Sequence, residues 1–170
     1  VEVVVADDAE CLETVKRYLA TAQRDIESLS GLIDDLFQLA QLDAGGLTLE
    51  PTTAEVCDLL SDTLESFRPL AASRGVTLDG ACQDVGVATL DVRRIGRVLA
   101  NLVGNALDHT PSGGTVSVNG TRQGRVVRID VRDTGAGIAP EDLPHIFDRF
   151  YRGEPARPRT TGGAGLGLAI

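Results

Sequence analysis

"NLVGNALDHT", Asn101–Thr110, follows directly on "DVRRIGRVLA", Asp91–Ala100, and the reading of this joined stretch decides the fold. Ile95, Val98, Leu99, Leu102, Val103 and Ala106 recur at helical spacing, which predicts a helix with one apolar face. Asp91 is a residue type whose side chain accepts from the first-turn N–H groups, so the helix is expected to open there. Away from the apolar face, Asn101 and Asn105 are four apart and Asp108 is three further on, so the three project from one side. Two amides and a carboxylate so placed can offer oxygens to a hard cation such as Mg2+, although a solvated helix face carries the same residues.

Downstream, Pro111, Gly113 and Gly114 stop the helix, and "GTVSVNGTRQGRVVRIDVRD", Gly114–Asp133, reads as a β-hairpin. In its second strand Val127, Ile129 and Val131 alternate with Arg128, Asp130 and Arg132, which gives one buried and one wet face. "RDTGAGI", Arg132–Ile138, then places Asp133, Gly135 and Gly137 at alternate positions. Glycines let a ring lie close to backbone, and a carboxylate can accept from an exocyclic amine; a strand ending in a turn would look similar. "FDRFYR", Phe147–Arg152, is the densest aromatic patch of a chain that is 4% aromatic; exposed, it would be a lid or docking segment, and buried, plain core.

The glycines of "TTGGAGLGLAI", Thr160–Ile170, could set backbone N–H groups at a helix N-terminus, where the dipole favours phosphate. Two familiar phosphate loops are excluded. A Walker A loop needs a Lys, and the chain's one Lys is Lys16; a dinucleotide fingerprint needs a preceding strand, whereas "GAGLG" follows a Pro/Arg/Thr loop.

Upstream, "LTLE" reads as a short strand, and Thr52 with Glu55 has the form of a capping box opening a helix through "VCDLLSDTLESFRPLAASR" to Gly75, kinked or strained at Pro69. "GVTL" and "VGVATL" read as short strands. Before them Leu12, Val15, Leu19, Ala22, Ile26, Leu29, Ile33, Leu36 and Ala40 follow steps of three and four over four heptads, which predicts a long helix of a coiled coil or four-helix bundle. "DAGG", Asp43–Gly46, supplies its C-terminal glycine. No later segment has a matching heptad, so a further helix or a second chain is expected to cover the seam.

With 170 residues and 42% hydrophobic content the chain can bury a core. Its net charge of -9 argues against a nucleic-acid partner, because such binding relies on Lys and Arg. Residues 1–65 hold 15 acids and 3 bases, residues 66–170 hold 10 and 13, so an anionic ligand belongs with the second part. Cys11, Cys57 and Cys82 are odd in number and far apart, which indicates neither a disulfide framework nor a zinc site and fits a reducing, cytoplasmic setting. No stretch approaches the ~20 apolar residues that span a bilayer, so any membrane part is expected outside this sequence. The chain starts at Val1 and has no Met, which suits either a fragment or a valine-type start codon translated literally, so both ends could be artificial.

"NLVGNALDHT", "DTGAGI", "FDRFYR" and "GGAGLGL" resemble, in order and approximate spacing, the N, G1, F and G2 boxes of bacterial sensor histidine kinases. The resemblance covers residues 47–170, and "LIDDLFQLAQLDAGG" within residues 1–46 looks like the second helix of the family's dimerisation and phosphotransfer domain. It implies an α+β fold: a two-layer α/β sandwich of the Bergerat type, with a mixed, mainly antiparallel sheet, preceded by the coiled-coil-like helix. It implies ATP and Mg2+ as cofactors, with Asn105 as metal ligand and Asn101 nearby. Asp133 would take the adenine amine, and Gly135, Gly137 and Ile138 would border the base. Asp108, His109, Phe147 and Leu166 would line the nucleotide. Arg149 and Arg152 would belong to a mobile lid and act with Asn105 in catalysis, and Gly163, Gly165 and Gly167 would meet the phosphates.

The implied activity is transfer of the ATP γ-phosphoryl group to a histidine. Neither His109 nor His145 sits in the family's H-E-x-x-x-P setting, so the acceptor is expected outside this chain, in a further segment or on a partner reached through residues 12–40. A homodimer or histidine-bearing partner and a response regulator are the implied partners. The missing acceptor equally suits a non-catalytic, ATP-responsive dimerisation module. An anti-sigma serine kinase, or the gyrase and chaperone branch, would leave the heptad helix and "FDRFYR" unexplained.

Asp108 stands where many members of that family carry a cation facing the phosphates, so it is expected to point away or to meet them only through Mg2+ or water. A closing helix and strand are expected beyond Ile170.

Overall fold

A computed structural model describes residues 12–19, 21–23, 26, 29–31, 33, 40, 48–151 and 166–169. The described residues between 12 and 40 are helical, and the heptad side chains Leu12, Val15, Leu19, Ile26, Leu29 and Ile33 are exposed, so the described part of the chain leaves the seam uncovered. Leu36 lies outside the described residues.

Strand β1, Thr52–Glu55, leads directly into helix α1, Val56–Arg74. This corrects two sequence expectations. Thr48–Glu50 is not a strand, and Thr52 and Glu55 do not form a capping box, for Glu55 gives the helix no side-chain cap. A local capping signal loses here to a distant pairing: β1 runs antiparallel to β3, Val87–Leu90, with Thr52 opposite Leu90 and Glu55 opposite Val87. Helix α1 runs on through Pro69 and ends at Gly75, whose φ of 66° lets its N–H reach the carbonyls of Ala71 and Ala72.

Strand β2, Thr77–Cys82, starts two residues later than expected and pairs in parallel with β4, Thr115–Gln123. A parallel neighbour needs a crossover, and the segment carrying β3 and α2, Val92–His109, supplies it. The hairpin is as read: β4 pairs antiparallel with β5, Val126–Asp133, in register from Val116 opposite Asp133 to Gln123 opposite Val126. At its tip the Arg122 guanidinium donates to the carbonyls of Val85 and Val87, tying the three-stranded sheet to the two-stranded one.

Both helices lie on the sheets, α1 against β2 and β4 and α2 against β4 and β5, which gives the expected two-layer α/β arrangement with a mixed sheet. Between the layers Val56, Leu60 and Ala71 of α1 meet Leu99, Val103, Ala106 and Leu107 of α2 and Val116 and Val118 of β4. Complete burial of one such Val or Leu contributes about 1.5–3 kcal/mol. The apolar face of α2 is rotated slightly from the sequence reading, with Leu107 buried and Val98 exposed.

The cysteine reading is also corrected. Cys57, in the first turn of α1, and Cys82, at the end of β2, form a disulfide across 25 residues. Helix and strand pack together and bring the two side chains into contact, a juxtaposition that chain spacing does not express. It removes the ground on which the cysteines suggested a reducing setting. Among the described residues no helix is long and apolar enough to cross a membrane.

Candidate functional site

Helix α2 is the floor of the candidate site, and its start is fixed by Asp91. The Asp91 carboxylate accepts from Arg94 N at 3.1 Å as the expected N-cap and from Glu50 N at 3.1 Å, which fastens the segment before β1 to the helix. The Glu50 bond first, then that from Arg94, holds the Asp91 carboxyl below the usual range, helped by the positive guanidinium groups of Arg94 and Arg93.

The three polar residues expected on one side of α2 have different surroundings. Asn101 Nδ2 donates to the Gly167 carbonyl at 2.9 Å, so Gly167 is seated on this helix. Leu166 beside it is 3% exposed, and Ala169 N donates to Leu166 O at 3.0 Å to close a turn. Asn105, one turn on, is half-buried and its side chain makes no hydrogen bond to another described residue, so its amide oxygen can take a ligand. Asp108 meets Arg74 of α1, with Oδ1 2.5 Å from Nη1. The contact is an ion pair and not an aligned hydrogen bond, since buried Nη1 has no hydrogen-bond partner of good geometry.

The strand end and the helix end converge at Asp133 and Gly135. Asp133 Oδ1 accepts from Gly135 N at 2.8 Å, which orients the carboxylate and leaves Oδ2 for an outside donor. Thr134 fixes the same corner by exchanging bonds with Thr115: its N donates to Thr115 O at 3.1 Å, and its Oγ1 accepts from Thr115 N at 2.9 Å. The sequence reading gave Gly135 and Gly137 one role, closeness to a ring, and the structure separates them. A Cβ on Gly135 would stand 2.4 Å from the carbonyl oxygen of His109, so its missing side chain lets the loop cross the end of α2. Gly137 has φ 72° and open space around it. His109 itself is exposed.

Beyond Gly137, Ile138, Leu143, Phe147 and Phe150 all stand exposed, the two Phe at 67% and 63%, so these two aromatics of "FDRFYR" are not core. The segment is tied by its own polar side chains. Tyr151 Oη donates to Asp142 Oδ1 at 2.7 Å, and His145 Nδ1 lies 2.8 Å from Asp148 Oδ2. The bond to Asp142, with burial next, pushes the Tyr151 phenol above its usual value. Arg149 is exposed and partnered, and Arg152, Gly163 and Gly165 lie outside the described residues.

Asn101, Asn105, Asp133, Gly135 and Gly167 are thus gathered around the C-terminal half of α2. Arg74 joins them through Asp108, and the sequence reading missed it: its one signal is a positive charge in the last turn of an earlier helix.

Residues 90–170 match the family described as histidine kinase-, DNA gyrase B- and HSP90-like ATPases. The sensor histidine kinase RppB of Synechocystis is 38% identical over 177 residues, covering 100% of this chain and 38% of its own length. The signal transduction histidine-protein kinase BaeS of Escherichia coli is 35% identical over 152 residues, 89% of this chain and 32% of its own. Full-length ShkA in complex with AMPPNP superposes with a TM-score of 0.75 at 31% identity, covering 90% of this chain and 32% of that one. The chain spans about a third of the length of these relatives. Residues 90–170 thus form a domain of the family of histidine kinase-, DNA gyrase B- and HSP90-like ATPases, as found in bacterial sensor histidine kinases.

Proposed function

We propose that this chain is the ATP-binding catalytic portion of a two-component sensor histidine kinase, which transfers the ATP γ-phosphoryl group to a histidine outside residues 1–170. The observation that carries the reading is the Asn101–Gly167 bond, which brings Gly167 onto the helix that bears Asn105. The donor set fits a nucleotide. Asp133 Oδ2 accepts the adenine amine, Gly135 holds that carboxylate in place, and Gly137 and Ile138 border the base. His109, Phe147 and Leu166 complete the lining, while Gly163, Gly165 and Gly167 offer backbone N–H groups to the phosphates.

Asn105 would supply an oxygen to Mg2+, with phosphate and water completing its coordination. The cation, when bound, neutralises charge on the transferring phosphoryl group. Arg149, which is exposed, and Arg152 add positive charge. In the transfer the bond from the γ-phosphorus to the bridging oxygen breaks, one from a histidine nitrogen forms, ADP leaves, and the histidine proton passes to a base beside the acceptor.

Residues 47–170 form the catalytic domain. Residues 1–46 are the second helix of the dimerisation domain, whose seam at positions 12–40 meets a second copy or a histidine-bearing partner. The phosphohistidine serves a response regulator in the cytoplasm. The test is to incubate the chain with Mg-ATP and a histidine-containing dimerisation domain and to assay acid-labile phosphate on that domain. Its appearance is expected; its absence despite tight ATP binding favours a non-catalytic ATP-responsive module.

A further inference from the structure

Asp108 projects from the same side of α2 as Asn101 and Asn105, and a carboxylate there repels any polyanion laid along that side. Arg74 answers it from a separate element. The two side chains, 30% and 40% exposed, meet with Nη1 2.5 Å from Oδ1. Arg74 does not depend on this contact for its place. The next residue, Gly75, turns the chain with φ 66°, its carbonyl accepts from Gly113 N at 2.8 Å, and a Cβ on it would lie 2.5 Å from Ser112 Oγ. The end of α1 is therefore pinned by backbone to the loop after α2.

We propose that Arg74 is a positioning residue for the nucleotide phosphates: by holding and neutralising Asp108 it lets a polyphosphate lie along the Asn101–Asn105 side of α2. The inference rests on the ATP-binding reading above. It assigns a compensating cation to α1, although the carboxylate it compensates is on the N-box helix. Pairs this exposed contribute little to stability, so loss of Arg74 is expected to act on the ligand more than on the fold.

The experiment titrates the full chain with ATP and, separately, with adenosine in the presence of Mg2+, for the unaltered chain, Arg74→Ala, Arg74→Lys and the double variant Arg74→Ala/Asp108→Asn. Arg74→Ala is expected to weaken ATP by about tenfold or more while adenosine changes less than about threefold. Arg74→Lys keeps the charge and the double variant removes the carboxylate, so both are expected within about threefold of the unaltered chain for ATP.

Equal losses for ATP and adenosine would make Arg74 structural and overturn the proposal. So would an unchanged ATP affinity in Arg74→Ala, or a double variant as weak as Arg74→Ala, which would place Arg74 on the phosphates directly. Thermal melts accompany the titrations; where Arg74→Ala melts early, Arg74→Gln, which keeps the packed stem, replaces it and must show the same contrast. Failure of the unaltered chain to bind ATP overturns the underlying ATP reading, whereas binding with no Arg74 effect overturns this proposal alone.

Discussion

Gly135→Ala places a methyl group 2.4 Å from the His109 carbonyl oxygen, 3.0 Å from its carbonyl carbon and 2.8 Å from Asp133 Oδ1. The first two contacts are backbone at the end of α2 and cannot swing aside as a side-chain tip would. To restore an ordinary separation of about 3.4 Å the loop must retreat by roughly 1 Å, and small-to-large changes that force such shifts typically cost about 1–3 kcal/mol. For a domain of this size that lowers Tm by roughly 5–10 °C. The retreat also separates Gly135 N from Asp133 Oδ1, now 2.8 Å apart, so the carboxylate that takes the adenine amine loses its orientation. ATP affinity should therefore fall about tenfold or more even well below Tm, since a hydrogen bond to a charged group is worth about 1.5–3 kcal/mol. Gly137→Ala is the comparison. It meets no atom and strains only its own φ of 72°, so it should cost about 1–2 kcal/mol of stability with Asp133 left in place. Calorimetric melts and ATP titrations of both variants check this. A Gly135→Ala chain with unchanged Tm and unchanged ATP affinity would refute the close crossing of loop and helix.

Three further outcomes are expected. Leu60→Ala, at a position 2% exposed in the core between α1 and β4, should cost about 2–5 kcal/mol in denaturant unfolding, while Val98→Ala on the exposed side of α2 should change little. Thiol titration of the denatured, unreduced chain should find one free cysteine, rising to three after reduction; bridging Cys57 to Cys82 across 25 residues should contribute about 3 kcal/mol, lost in Cys57→Ser. The Asp91 carboxyl is held below its usual 3.8, so its contribution is complete above that value and is lost as pH falls through the lowered one; Asp91→Asn should flatten the dependence of Tm on pH in that acid range, and an unchanged slope would count against the Glu50 and Arg94 bonds.

What was legible in the sequence follows from how local each cause is. Helix α2 could be read from Asn101–Thr110 and the residues before it because its N-cap and apolar period lie within eighteen residues. The hairpin was legible for the same reason, since β4 and β5 are adjacent and alternate cleanly. Thr52–Glu55 was misread as a cap because its pairing partner Val87–Leu90 lies more than thirty residues away. The Cys57–Cys82 bridge and the Arg74–Asp108 pair were hidden likewise, each joining elements distant in sequence. The places of Asn105 on α2 and of Asp133 at the end of β5 were legible from the local pattern, whereas the reason for Gly135 was not. A glycine required by a neighbouring carbonyl looks, in sequence, the same as one required by a ligand.

The central claim, that an adenine nucleotide is held between α2 and the Asp133 corner, is tested most directly by ATP titration of the unaltered chain against Asp133→Asn in the presence of Mg2+. The variant keeps its Oδ1 for Gly135 but presents an NH2 group where Oδ2 would accept the adenine amine, two donors facing each other. The account predicts saturable ATP binding by the unaltered chain and at least about a tenfold loss in Asp133→Asn. Equal ATP affinity in the two chains would contradict it.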